Sequence, residues 1–88
     1  MRVDLFLKQA RLVKRRTLAK ELCQEGAVSV NGAPARPGKE VSPGDRLSLR
    51  LWNRLMEIEV QEIPERAPAG PEARKLYRIL SERNLAHE

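Results

Sequence analysis

The sequence predicts a small α+β domain: two helices first, antiparallel strands after them, and a short helical tail at the C-terminus. Three observations carry this. Apolar residues up to Cys23 recur at helical spacing. From Val28 they alternate at a spacing of two, on either side of an Asn31-Gly32 turn signal. A single glycine, Gly26, stands between the two regimes. A chain of 88 residues exposes on the order of 5,200 Å² when folded, which leaves a thin core. Such a core cannot build a two-domain catalytic cleft.

The first helix rests on Val3, Phe6, Leu7 and Ala10, placed at i, i+3, i+4 and i+7. Asp4 precedes Lys8 by one turn, the favourable order of acid before base. Leu12 and Val13 form a short apolar joint. The second helix is expected from about Arg16 to Glu25, with Leu18, Ala19, Leu22 and Cys23 as its apolar stripe and Gly26 as its C-cap. Arg16, Lys20 and Gln24 then share its exposed ridge.

Beyond Gly26, Val28 and Val30 flank Ser29 and run into Asn31-Gly32, whose residues both accept positive φ. The return segment carries Pro34 and Pro37 and is expected to be a short edge strand. Ser42-Pro43-Gly44-Asp45 reads as a turn. Leu47, Leu49 and Leu51 alternate with polar residues, and so do Met56, Ile58 and Val60. The two runs predict an antiparallel pair with one wet face, joined by a tight turn near Asn53-Arg54. The expected organisation is a domain over residues 1–63, a Pro-rich linker over 64–71 and a helical tail over 72–88. Ala73, Leu76, Leu80 and Tyr77 are expected on one side of that tail.

The net charge of +5 is unevenly placed. Residues 1–20 hold Arg2, Lys8, Arg11, Lys14, Arg15, Arg16 and Lys20 against Asp4 alone, whereas the rest of the chain is close to neutral. A localised basic patch implies a polyanionic partner. Phosphates suit these residues, because a guanidinium fork pairs two oxygens at once. The seven cations are the candidate RNA-binding residues. Phe6, Trp52 and Tyr77 are the only aromatics, a poor platform for stacking successive bases. Trp52 closes a strand, where contact with RNA, contact with a partner or packing at the sheet end are all open.

Other chemistry is poorly supplied. Cys23 is the sole cysteine, which excludes a disulfide framework and a cysteine-based zinc site and suits a reducing cytoplasm. It reads as a buried, inert thiol. His87 is the sole histidine and lies one residue from the C-terminus. No nucleophile–base pair or metal cluster can be assembled, so neither catalysis nor a cofactor or metal is expected. Gly32 to Lys39 falls one residue outside P-loop spacing, and Glu40 follows where Ser or Thr is needed. No apolar run exceeds Leu5-Phe6-Leu7, so no membrane span is expected.

Four pieces in order carry a resemblance. They are Arg2-Val3-Asp4-x-Phe6-Leu7, Arg16-x-x-Ala19-x-x-Leu22, Gly26-x-Val28-x-Val30-Asn31-Gly32 and Val41-x-Pro43-Gly44-Asp45. Over about residues 2–50 the chain resembles the S-four RNA-binding domain, the module named after ribosomal small-subunit protein four. The resemblance implies two helices packed on a small bent antiparallel sheet, binding structured RNA through the helix pair. Many members have a glycine and a serine between the helices; Arg11 and Arg15 stand there in this chain. That arginine-rich joint is similar to the stand-alone members. The short neutral tail with Tyr77-x-Ile79-Leu80 looks most like their ribosome-associated quality-control branch, and next like the fifteen-kilodalton heat-shock branch.

The resemblance implies a non-catalytic cytoplasmic factor, monomeric when free. Its partners would be large-subunit ribosomal RNA, the large ribosomal subunit, a stranded peptidyl-tRNA, and the factor that recruits alanyl-tRNA for C-terminal alanine tailing. Family contact positions carry over onto Arg2 and Arg16. The alternatives are an RNA-guiding accessory subunit of an RNA-modifying enzyme and a DNA-binding regulator. The missing catalytic domain weighs against the first, and the hairpin straight after helix two against the second.

Overall fold

In a computed structural model, residues 1–85 are described. Helix α1 spans Val3–Gln9 and α2 spans Arg16–Gln24. Strands β1 (Val28–Val30), β2 (Ala33–Pro34), β3 (Arg46–Leu51) and β4 (Arg54–Val60) follow. A one-turn helix α3 (Gly70–Ala73) and a 3₁₀ turn (Arg74–Leu76) lead into a fifth strand, β5 (Tyr77–Asn84). The five strands form one antiparallel sheet in the order β2-β1-β3-β4-β5.

Both helices end in the same device. The Arg11 N–H donates to the Lys8 carbonyl and the Leu12 N–H to the Leu7 carbonyl, closing a Schellman motif after α1. Gly26 and Ala27 repeat the pattern on Cys23 and Leu22 after α2. The residue beyond each cap must take positive φ. Gly26 does so freely at 80°, but Arg11 does so at 60° with a full side chain.

The predicted stripes build the core. Val3, Phe6 and Leu7 of α1 and its C-cap Ala10 are buried, as are Ala19 and Cys23 of α2. They meet the alternate residues Val28, Val30, Leu47, Leu49, Leu51, Met56, Ile58 and Val60 on the inner sheet face. Register aligns these residues across strands: Val28 faces Leu49, and Leu49 faces Met56. Asn31 and Gly32 turn the β1–β2 hairpin with φ of 52° and 88°. Asn31 also ties β1 to β3. Its side-chain oxygen accepts from the Arg46 N–H at 2.9 Å, and its amide donates to Asp45 at 3.2 Å. The β3–β4 turn falls on Trp52-Asn53, with Leu51 paired to Arg54, so it sits one residue before the expected place.

The tail departs from expectation. Helix begins near the anticipated place but stops after one turn, and Tyr77–Asn84 is strand. The spacing of Ala73, Leu76 and Leu80 fits a helix in isolation. The open edge of β4 offers a row of backbone donors and acceptors, however, and pairing along all of Arg54–Val60 outweighs a weak local propensity. Leu76 is buried, and its carbonyl accepts from the Gln61 N–H at 2.7 Å, which pins the entry to β5. The register slips between Glu57 and Ile58, as a β-bulge does. The tail is therefore part of the same sheet, bridged by Arg78–Glu59 at 2.7 Å and Arg54–Glu82 at 2.6 Å. The end of the tail, with His87, lies outside the described residues. Among the described residues no helix is long and apolar enough to cross a membrane.

Candidate nucleic-acid interface

The site is organised by one buried acid. Asp4 is fully buried at the start of α1, where its carboxylate accepts from the Leu5 N–H at 2.7 Å. Arg2 reaches it through two nitrogens, at 3.2 and 3.1 Å. The Arg16 Nε lies 3.5 Å away, from the first turn of α2. A carboxylate taken out of water is costly unless cations and N–H donors surround it. Both arginine side chains keep 40–45% of their surface in solvent. Each is held at one edge and open at the other. Among the described residues Arg16 Nε has no hydrogen-bond partner. Asp4 thus turns inward to Arg2 and Arg16 rather than along the helix to Lys8, and Arg16 is only part-exposed where Lys20 and Gln24 on the same ridge are exposed.

Segment 36–41 holds the N-terminus in place. The Val3 N–H donates to the Lys39 carbonyl at 2.7 Å, and the Val41 N–H to the Met1 carbonyl at 2.9 Å. The terminal ammonium pairs with Glu40 at 2.9 Å. Gly38 lies against the Arg2 guanidinium, where an added Cβ would meet Cζ at 3.9 Å. The exposed cations Arg36 and Lys39 flank that glycine. Counted along the sequence they do not stand out, because Glu21, Glu25 and Glu40 offset them between residues 21 and 40.

The remaining predicted cations spread from this pair along the helix joint. Arg11, Lys14 and Arg15 occupy the joint itself and are exposed, as are Lys8 on the last turn of α1 and Lys20 on α2. Among the described residues none of these five enters an ion pair, so their charge is available to a partner. Arg11 approaches the tail, with its Cζ at 4.0 Å from where a Gly70 Cβ would stand. Lys14 and Arg15 line an open groove with Thr17, Leu18, Glu21 and Trp52. The structure thus gathers Arg2 with Arg16, and Lys14 with Arg15. Lys8 and Lys20 stand on the helices without a described partner.

Besides Arg36 and Lys39, the role of Asp4 escaped sequence reasoning, and that of Trp52 was left open. Asp4 looked like an ordinary first-turn acid, and its buried role needs the three-dimensional approach of α2. Trp52 is 78% exposed at the hairpin tip, so packing at the sheet end is not its role. Cys23 is buried, and its thiol is raised from 9.0 to about 11, chiefly by burial and then by the charge of Asp4. Such a thiol stays protonated and is a poor nucleophile or ligand. Asp45 is a turn residue. It accepts from the Ser42 N–H at 2.9 Å and from Asn31.

Comparison with known proteins gives the family. The S4 domain family matches residues 1–47. The chain is 44% identical to the RQC P-site tRNA stabilizing factor of Bacillus subtilis (strain 168), over 97% of this chain and 98% of that one. A Heat shock protein 15 homolog from Haemophilus influenzae is 35% identical over 88% of this chain and 59% of its own length. The trimeric structure of Vibrio cholerae Heat Shock Protein 15 superposes with a TM-score of 0.86 at 34% identity, covering 92% of this chain and 82% of that one. With its paired helices, its antiparallel sheet and these relatives, the chain belongs to the S4 domain family, in the group that holds the RQC P-site tRNA stabilizing factors and the Heat shock protein 15 homologs.

Proposed function

We propose that the chain is a non-catalytic RNA-binding factor of ribosome-associated quality control. It binds large-subunit ribosomal RNA and the peptidyl-tRNA left on a stalled large subunit. The observation that carries this is the Asp4 anchor, which presents Arg2 and Arg16 as two half-exposed guanidinium groups beside an acid-free joint. Two guanidinium groups drawn to one buried acid suit the phosphates of a folded RNA, whose deep major groove hides its base edges. The similarity to a P-site tRNA stabilizing factor supports a tRNA held in place, rather than one chemically altered.

On this reading Lys8, Arg11, Lys14, Arg15 and Lys20 extend the phosphate track along the joint. The chain works in the cytoplasm, is monomeric when free, and sustains alanine tailing by keeping the tRNA seated while the alanyl-tRNA-recruiting factor acts. Crosslinking in cells followed by sequencing of the bound RNA tests it. Large-subunit ribosomal RNA and tRNA are expected, and competition in vitro should rank both above duplex DNA. Recovery of messenger RNA alone, or preference for duplex DNA, would overturn it. Sedimentation of the free protein reads the assembly state, with a monomer expected and a trimer contradicting that part.

A further inference from the structure

We infer that Trp52 is a stacking platform for one unpaired RNA base, placed beside the phosphate-binding residues Lys14 and Arg15. The inference rests on the RNA-binding reading above and names a contact which that reading does not include. Trp52 heads the β3–β4 turn with a φ of 52°, in the left-handed region, and the residue is 78% exposed. A bulky side chain is strained in that region, and an exposed ring contributes little burial in return. Turn formation alone favours Gly, Asn or Asp at such a position. The fold therefore gains little from tryptophan here.

The neighbours point to the ligand. Trp52 shares an open groove of about 430 Å³ with Lys14, Arg15, Leu18 and Glu21. Leu18 supplies half-buried apolar floor. A nucleotide uses the whole set: its base stacks on the indole and its phosphate takes the two cations. An acidic peptide would satisfy the cations and leave the ring idle; an apolar peptide would do the reverse. Glu21 confines the phosphate to the Lys14–Arg15 end, and its carboxylate offers an acceptor for a base amino group. One exposed ring serves one base, which suits a bulged or terminal nucleotide rather than a continuous single strand.

Trp52 is the only tryptophan in the chain, so intrinsic fluorescence reports the site directly. The probes are a short single-stranded oligoadenylate, an abasic strand of equal length and a blunt RNA duplex. Quenching is expected with oligoadenylate and not with the abasic strand. Trp52→Ala should weaken oligoadenylate binding roughly five- to 150-fold, while Trp52→Phe retains most of it. Abasic-strand binding should be the same in both variants. Trp52→Gly, which also relieves the turn, should lose binding while melting no lower than wild type, which separates binding from folding. Unchanged oligoadenylate affinity in Trp52→Ala, or equal quenching by the abasic strand, overturns the proposal while leaving phosphate binding intact. Unchanged oligoadenylate affinity with lost large-subunit co-sedimentation overturns it in favour of a protein contact. Wild type binding none of the three probes, at any salt concentration, overturns both this proposal and the RNA reading beneath it.

Discussion

Replacing Arg11 with glycine should strengthen the fold and weaken the interface together. Arg11 stands at the position after the α1 cap with φ of 60°, where an L-residue costs about 1–2 kcal/mol relative to glycine. Glycine returns part of that through the freer unfolded chain, about 0.4–1 kcal/mol. The Schellman bonds from residues 11 and 12 are backbone bonds and survive. The net gain is roughly 0.5–1 kcal/mol, which for a domain of this size raises Tm by about 2–8 °C. The same change deletes one exposed cation of the joint. If about five phosphates are engaged, raising salt from 50 to 200 mM weakens wild-type binding roughly a hundred- to five-hundredfold. With four phosphates the same step costs roughly fifty- to 150-fold. Thermal melts and gel-shift titrations at several salt concentrations read the two effects separately. Arg11→Lys keeps charge and strain, and Arg11→Ala keeps strain alone. A lower Tm in the glycine variant would refute the strain, and an unchanged salt slope would refute the phosphate contact.

Further outcomes follow from the same geometry. Asp4→Asn removes the charge facing Arg2 and Arg16 and should cost about 1–3 kcal/mol in denaturant unfolding. It should also weaken RNA binding although the protein becomes more positive; tighter binding would mean that Asp4 does not position the arginines. Cys23, with its thiol raised from 9.0 to about 11, should react with iodoacetamide at pH 8 about a hundredfold more slowly than in the unfolded chain, by ionisation alone. Because its folded value is the higher one, the stability contributed by the protonated thiol is present below pH 9 and is lost as pH rises towards 11. A flat stability profile across that window would contradict the buried setting. Ending the chain after Leu76 removes β5 and should cost roughly 2–5 kcal/mol from lost strand pairs; a lightly docked tail would cost almost nothing.

Local periodicity made most of the fold legible. Val3, Phe6, Leu7 and Ala10 lie buried where a helical period put them, and Val28 to Val60 alternate as a one-sided sheet requires. Asn31-Gly32 and Gly26 announced their backbone conformations through residue type alone. What stayed hidden depends on contacts between distant segments. The tail carried helical spacing, but whether Ile79 and Tyr77 enter a helix or a strand is decided by the edge of β4. Asp4 is indistinguishable in sequence from a surface acid until α2 brings Arg16 to it. The cations themselves were readable from charge clustering. Their grouping into an anchored pair and a groove was not, because helix crossing sets it. Trp52 was visible as a residue, and only the structure shows that it stands exposed at the head of a turn.

On the proposed function, Arg2 and Arg16, drawn to Asp4, seat this protein on RNA. Quantitative co-sedimentation with large ribosomal subunits carrying peptidyl-tRNA tests it most directly. Wild type should be compared with Arg16→Ala and Arg2→Ala, with circular dichroism confirming that each variant is folded. Co-sedimentation should be lost for Arg16→Ala and weakened less for Arg2→Ala. Wild-type co-sedimentation by both folded variants would contradict it.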